Sequence, residues 1–227
     1  EARLITIPLD SQFIESDHPL IRKTLLRALP SDETQQPGRL FIVNKGPYGH
    51  GYHICHLCNH AEPARKMGPA TLKHRDPQGD RLCINEKLRT PQDLAHIFDT
   101  DVLMIRFAHP LRLHAHYSQG EDQGTYIESF CRTLCETLRF AAVRVLEIQP
   151  RDIKASYRRI GNIIETVLYD AVSGGAGYSV RLYQDITLQK LLEKSLDILR
   201  CPNDCETACR SCLCDYSNQI HWDQLNR

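Results

Sequence analysis

The chain has 227 residues, with 28 basic and 28 acidic side chains, 41% hydrophobic residues and 7% aromatics. That length allows one large domain or two modest ones with a real core, and the balanced charge excludes the globally basic footprint of an autonomous nucleic-acid binder while leaving a local patch open. No stretch approaches ~18 uncharged apolar residues and no basic-then-apolar leader is present, so neither a membrane span nor a signal peptide is expected.

Residues 4–9 predict a short strand. Asp17, His18 and Pro19 predict the start of a helix in which Leu20, Ile21, Leu25, Leu26 and Leu29 keep helical spacing, ended by Pro30 and Ser31. A polar loop leads into a strand over residues 40–43. Gly46, Pro47, Gly49 and Gly51 then turn the chain back into residues 52–55, the outline of a zinc-knuckle hairpin. Residues 61–93 are turn-rich, with seven basic against four acidic side chains between Glu62 and Thr90.

Residues 101–107 predict a buried strand, followed by a polar loop whose His109, His114 and His116 read as solvated. His96, ahead of Asp99 and Asp101, reads as a helix-end or core histidine. The longest predicted helix covers residues 125–148, with Ile127, Phe130, Leu134, Leu138, Ala141, Ala142 and Val145 on one stripe. Cys131 and Cys135 share that stripe and read as core thiols. Residues 162–170 predict a second interior strand, which runs through a glycine loop into helices over 178–184 and 188–199. The basic run Arg151, Lys154, Arg158 and Arg159 reads first as a solvated face.

The expected class is α/β or α+β: a mixed sheet with flanking helices, a zinc-knuckle hairpin and a C-terminal cysteine cluster. The expected organisation is an N-terminal helix and linker (1–38), a zinc-knuckle insertion (39–93) and a zinc-binding domain (94–227). Glu1 in place of an initiator methionine reads as a cut from a longer chain.

In the glycine loop, Asp170 is followed by Ser173, Gly174, Gly175, Ala176 and Gly177. A strand, a glycine loop and a helix start can aim backbone N–H groups at an anion. The chain has no Gly-Lys dipeptide, so a Walker A loop is absent, and Val180 stands where a dinucleotide fingerprint needs its third small residue. Two readings remain. Either Asp170 braces the loop so that the helix packs on its strand, or Asp170, Gly174, Gly175 and Gly177 meet nucleic-acid phosphates with help from Arg158 and Arg159.

Ten cysteines fall in three groups, and five of them lie within 14 residues. Cysteines so close in sequence mostly cannot reach one another with disulfide geometry, whereas converging thiolates build a tetrahedral site for zinc, or less readily an iron–sulfur cluster. This chemistry implies a reducing, cytoplasmic compartment. Cys201, Cys205, Cys209 and Cys212 complete one closed site and leave Cys214 spare. Cys55 and Cys58 form half of another, with Cys83 and, as fourth ligand, His74; His56 and His60 are too close to Cys58 to bind without strain. One zinc ion is expected at the first of these sites and a second at the other.

The strings LYDAVSGGAGY and CPNDCETACRSCLCDYSNQIHWDQLNR, together with the 44–58 segment and the Leu94-to-Asp101 signature, resemble the MrfA-type zinc-binding domain family. Within it they are most similar to the DrmB-type proteins of the DISARM anti-phage system. The resemblance implies zinc on Cys201, Cys205, Cys209 and Cys212. It also implies a non-catalytic module beside a DNA helicase of the DrmA type, and binding to single-stranded or junction DNA. The alternatives are the C-terminal domain of a DNA-repair helicase, or a phosphate-binding enzyme domain built on Asp170 and the glycines. No His-x-Lys nuclease core and no His-Glu-x-x-His occur, and a four-thiolate zinc site is closed to substrate, so no catalytic residues are assigned.

Overall fold

The computed structural model describes residues 2–4, 13–16, 24–33, 37–79, 81–107, 123–160 and 163–226. In chain order the strands are β1 (Ala2–Leu4), β2 (Ile14–Glu15), β3 (Leu25–Leu29), β4 (Arg39–Asn44), β5 (Tyr52–Ile54), β6 (Ala61–Pro63), β7 (Ala70–Thr71), β8 (Lys87–Leu88), β9 (Leu94–Asp99), β10 (Val102–Arg106), β11 (Ile153–Ile160) and β12 (Ile163–Asp170). The helices are α1 (Gln123–Leu146), α2 (Tyr178–Arg181) and α3 (Asp185–Leu199), followed by a 3-10 segment over Tyr216–Gln224. The class is α+β. The chain divides into two compact units, Glu1–Arg3 with Phe41–Ile97 and Leu4–Leu40 with Phe98–Arg227.

The larger unit is built on a sheet of order β11-β12-β10-β3-β2. Its pairings are antiparallel throughout, where the sequence suggested a mixed sheet. Every residue of β10 is buried, which explains the apolar run from Val102 to Ile105: a strand with both faces covered has no polar side to alternate with. Leu103 lies opposite Leu168 on one side and Ala28 on the other. At the strand's end Arg106 lies opposite Glu165 and donates to it at 2.9 Å, with its guanidinium over the Phe13 ring at 4.1 Å. Glu165 is fully buried and its second oxygen takes Arg158, so two guanidinium groups compensate one interior carboxylate.

Helix α1 packs on β11 and β12, and α3 packs on α1. Leu103, Leu138, Ala141, Leu168, Leu191 and Ile198 meet there in one apolar cluster, which also takes in Cys201, Cys212, Leu213 and Cys214. The cysteine segment is thus seated on the core. Cys131 and Cys135 are buried along α1, where desolvation raises both thiols.

The expected N-terminal helix is corrected: Leu25–Leu29 is strand β3, paired with β10 on one side and β2 on the other. A run this short satisfies both the helical and the strand period, and cross-strand pairing decides between them. Residues 17–23 of the expected helix lie outside the described residues. Strands β9 and β11, and the short strands β2, β6, β7 and β8, are also absent from the sequence reading. In β11 all residues after Ile153 with described side chains are half-buried or exposed, so its charges look like a solvated face although the backbone is paired along all of β12. The loop with His109, His114 and His116 lies outside the described residues. Among those residues no helix is long and apolar enough to cross a membrane.

Candidate metal centres

Helix α3 buries Leu188, Leu191, Leu192 and Ile198 on one face, and this fixes where its C-terminal end delivers Cys201. The chain turns immediately, with the Asp204 N–H on the Cys201 carbonyl at 3.1 Å and Asp204 itself at φ 45°. A second turn, Cys209 to Cys212, closes with the Cys212 N–H on the Cys209 carbonyl at 3.1 Å. These two turns bring four sulfurs together, all within 4.8 Å of one another. The Sγ separations are 3.6 Å for Cys201 and Cys209, 3.9 Å for Cys205 and Cys212, and 3.8 Å for Cys209 and Cys212. A tetrahedron with zinc–sulfur bonds of about 2.3 Å has edges of about 3.8 Å, so the set fits that ion.

The electrostatics agree. The Ser211 N–H, acting against burial, holds the Cys209 thiol at about 6. Burial and the neighbouring sulfurs push Cys205 up to about 12. One thiolate is favoured and its neighbours resist further charge, so ionising all four sulfurs this close would require a cation among them. Cys214 is buried in the apolar core and does not belong to the set.

In the smaller unit β5 and β6 form an antiparallel hairpin whose tip is the Cys55–Cys58 turn. The Cys55 N–H donates to the His60 carbonyl and the Asn59 N–H to the Cys55 carbonyl, each at 2.9 Å, with Asn59 at φ 58°. Although burial opposes its ionisation, Cys55 is held at about 5 by the N–H groups of Cys58 and Leu57 and by the Asn85 amide; burial pushes Cys58 up to about 11. A second small hairpin presents the other two residues. Arg75 bridges Leu82, and the Cys83 N–H reaches the His74 carbonyl at 3.0 Å, so His74 and Cys83 stand side by side.

The four ligand atoms of Cys55, Cys58, His74 and Cys83 lie within 4.8 Å of one another, and the Cys55 and Cys83 sulfurs are 3.8 Å apart. His74 donates Nδ1–H to the Leu72 carbonyl at 3.0 Å, while its Nε2 is buried with no hydrogen-bond partner. An orphaned imidazole nitrogen among three sulfurs is what a bound zinc ion satisfies. His60 stacks on the His74 ring at 4.7 Å, and neither His56 nor His60 joins the set.

Two supporting residues escaped the sequence reading. Asn85 donates to the Cys55 sulfur at 3.4 Å, and Asn203 approaches Cys209 at 3.8 Å while bonding the Ser211 hydroxyl at 2.9 Å. Both stand two residues after a cysteine of their own cluster, in Cys83-x-Asn85 and Cys201-x-Asn203. That shared spacing was visible in the sequence.

The glycine loop is turned on the chain itself. Asp170, fully buried, accepts from the backbone N–H groups of Ala176 (2.8 Å), Tyr178 (3.0 Å) and Ser179 (2.9 Å) and from the Ser179 hydroxyl (2.7 Å). Asp101 accepts from the Gly177 N–H and from the Ser31 N–H, each at 2.7 Å. The Gly174 and Gly175 amides bond the Asp99 and Val172 carbonyls. Gly175 sits at φ +70°, and a Cβ there would lie 2.2 Å from the Asp101 carboxylate. The amides from Gly174 to Ser179 thus meet acceptors of the chain, in the arrangement where Asp170 braces the loop. Arg158 is turned to Glu165, Arg159 is exposed on β11, and His96 is exposed on β9, neither at a helix end nor in the core.

Residues 134–213 match the model of the MrfA Zn-binding domain, MZB. This part of the chain is an MZB domain. The matched span begins within α1, runs through β11, β12, α2 and α3, and ends one residue after Cys212, so it encloses the four-sulfur cluster; the Cys55 cluster lies outside it. The chain is similar to Druantia protein DruE from Escherichia coli (strain UMEA 4076-1), at 30% identity over 208 residues, covering 83% of this chain. It spans 11% of the length of DruE. Among solved structures it is similar to the DUF1998 helicase MrfA, crystallised bound to DNA, with a TM-score of 0.49 and 12% identity over 99% of this chain and 24% of that one.

Proposed function

We propose that this chain is a zinc-stabilised, non-catalytic module that works beside a DNA helicase in the cytoplasm and helps hold nucleic acid, in anti-phage defence. The observation that carries this reading is the MZB cluster itself. Its four sulfurs fill a tetrahedral shell and rest on the apolar core, so zinc bound there has no open position for substrate and supplies structure. Cys201, Cys205, Cys209 and Cys212 would hold that ion, and Cys55, Cys58, His74 and Cys83 a second. The motor belongs to a helicase partner of the DrmA type, in keeping with the absence of a Walker A loop from this sequence.

A second reading is favoured by the chain's match to only 11% of DruE: the same module inside a long polypeptide that carries its own motor. Co-purification of the zinc-loaded protein with its helicase, followed by the ATPase rate on single-stranded DNA with and without it, tests the proposal. A stable complex with raised DNA affinity and no ATP hydrolysis by the module alone is expected. No complex and no effect on DNA affinity would overturn it.

A further inference from the structure

A cleft of about 460 Å³ lies in the larger unit between residues 149–151 with Lys154 on one side and residues 215–217 on the other. Its two walls are tied together from beneath by Arg139, only 2% exposed. That guanidinium donates to the Pro150 carbonyl at 3.2 Å, to the Asp215 carboxylate at 3.0 Å and to Glu136 at 2.8 Å. Glu136 in turn accepts from the Asn218 amide at 2.9 Å. The wall after the cysteine cluster is further locked by a capping box. The Asp215 carboxylate accepts from the N–H groups of Ser217 and Asn218, and the Asn218 side chain accepts from the Asp215 N–H.

On this rigid frame Tyr216 stands 91% exposed. Arg151 and Lys154 face it from the other wall, and neither makes an ion pair among the described residues. The acids nearby are already engaged, Asp215 with Arg139 and the capping box, Asp152 with the Gln149 N–H at 3.0 Å. The cleft therefore offers two cations that form no ion pair among the described residues and one aromatic face, beside an Asp215 carboxylate turned to Arg139. Exposed aromatic faces stack on bases of any sequence, and cations beside them take the connecting phosphates.

We propose that this cleft is where the module holds single-stranded nucleic acid, with Tyr216 stacking on a base and Arg151 and Lys154 contacting the flanking phosphates. The inference rests on the nucleic-acid part of the proposed function and gives it a location. It also moves the basic contacts from Arg158, which is committed to Glu165, to the start of the same basic run.

The test is fluorescence anisotropy of the zinc-loaded protein with a labelled oligothymidylate of about 12 nucleotides, across a salt series from about 50 to 200 mM. Tyr216→Ala is expected to weaken binding about 5- to 150-fold, and Tyr216→Phe to keep it, because stacking needs the ring and not the hydroxyl. Arg151→Glu with Lys154→Glu is expected to weaken binding and to flatten the salt slope by about 1.4, or 0.7 for each phosphate contact. Since all three side chains reach solvent, these variants fold, and unchanged circular dichroism and zinc content verify it. Wild-type binding that neither Tyr216→Ala nor the double reversal alters would overturn the site and leave the nucleic-acid reading standing. Equal competition by duplex would also overturn it, because a paired strand offers no free base to Tyr216. No binding by the wild-type protein at all would overturn both.

Discussion

His74 gives its Nδ1–H to the carbonyl of Leu72 at 3.0 Å, and this one bond leaves its buried Nε2 bare beside three cysteine sulfurs. The tautomer that can bind a metal is thereby set by the backbone two residues away. Replacing His74 by Ala is expected to remove one zinc ion per chain and to unfold the two small hairpins, which have little apolar core of their own. His74→Cys should keep the ion, because a fourth thiolate completes the same tetrahedron. Zinc content by atomic absorption, together with protection of residues 52–90 from hydrogen exchange, checks both outcomes.

Asn85 and Asn203 each place an amide near one sulfur of their own cluster. Such donors spread the charge of a thiolate shell without binding the metal. Asn85→Ala should lower zinc affinity about 10- to 100-fold at the first site only, and Asn203→Ala should do the same at the second, more weakly given its longer contact. Competition with a chromophoric chelator, resolved into two phases, distinguishes the sites.

Asp170 carries four donors in a place with no access to water. Asp170→Asn keeps the shape but sets an NH2 group against N–H donors, and is expected to destabilise the larger unit by about 3–5 kcal/mol in urea unfolding. Gly175→Ala should also destabilise it, because the added methyl meets the Asp101 carboxylate at a left-handed backbone position. A stability change below about 1 kcal/mol for Asp170→Asn would mean the loop does not depend on this brace.

Asp215 gives a pH signature. Burial works to raise its carboxyl, but the Ser217 bonds and the Arg139 guanidinium hold it below the usual 3.8. A carboxyl depressed in the folded state stabilises the fold fully above that value, and the contribution fades as pH falls through the folded one. Asp215→Asn should therefore destabilise the larger unit at pH 7. The gap between variant and parent should begin to close as pH drops below the usual 3.8 and vanish once pH has passed the folded value, where both carry an uncharged side chain. Urea midpoints of the two proteins, compared from neutral to acidic pH, read this difference directly; a gap independent of pH would contradict it.

The sequence was most legible where chemistry or burial was most demanding. Residues 102–105 announce a strand by being apolar throughout, α1 by its stripe, and each cysteine cluster by spacing that a metal explains. Legibility fails where pairing decides the structure. Leu25–Leu29 satisfies either period, and β11 hides its backbone pairing behind Lys154, Arg158 and Arg159. In the glycine loop the residues admitted two partners for the same amides, and only the fold reveals that Asp101, 69 positions before Asp170 in the numbering, comes up to the same loop. The MZB domain is readable from the residues around Cys201–Cys212 and Asp170.

The central claim is that two separate zinc ions organise the chain, one on Cys55, Cys58, His74 and Cys83 and one on Cys201, Cys205, Cys209 and Cys212. Native mass spectrometry of the purified protein measures it most directly. The account predicts a mass increment of two zinc ions for the wild type and one each for Cys55→Ser and Cys209→Ser, with none retained when both are replaced. Folded protein that carries no zinc, or single variants that keep both ions, would contradict it.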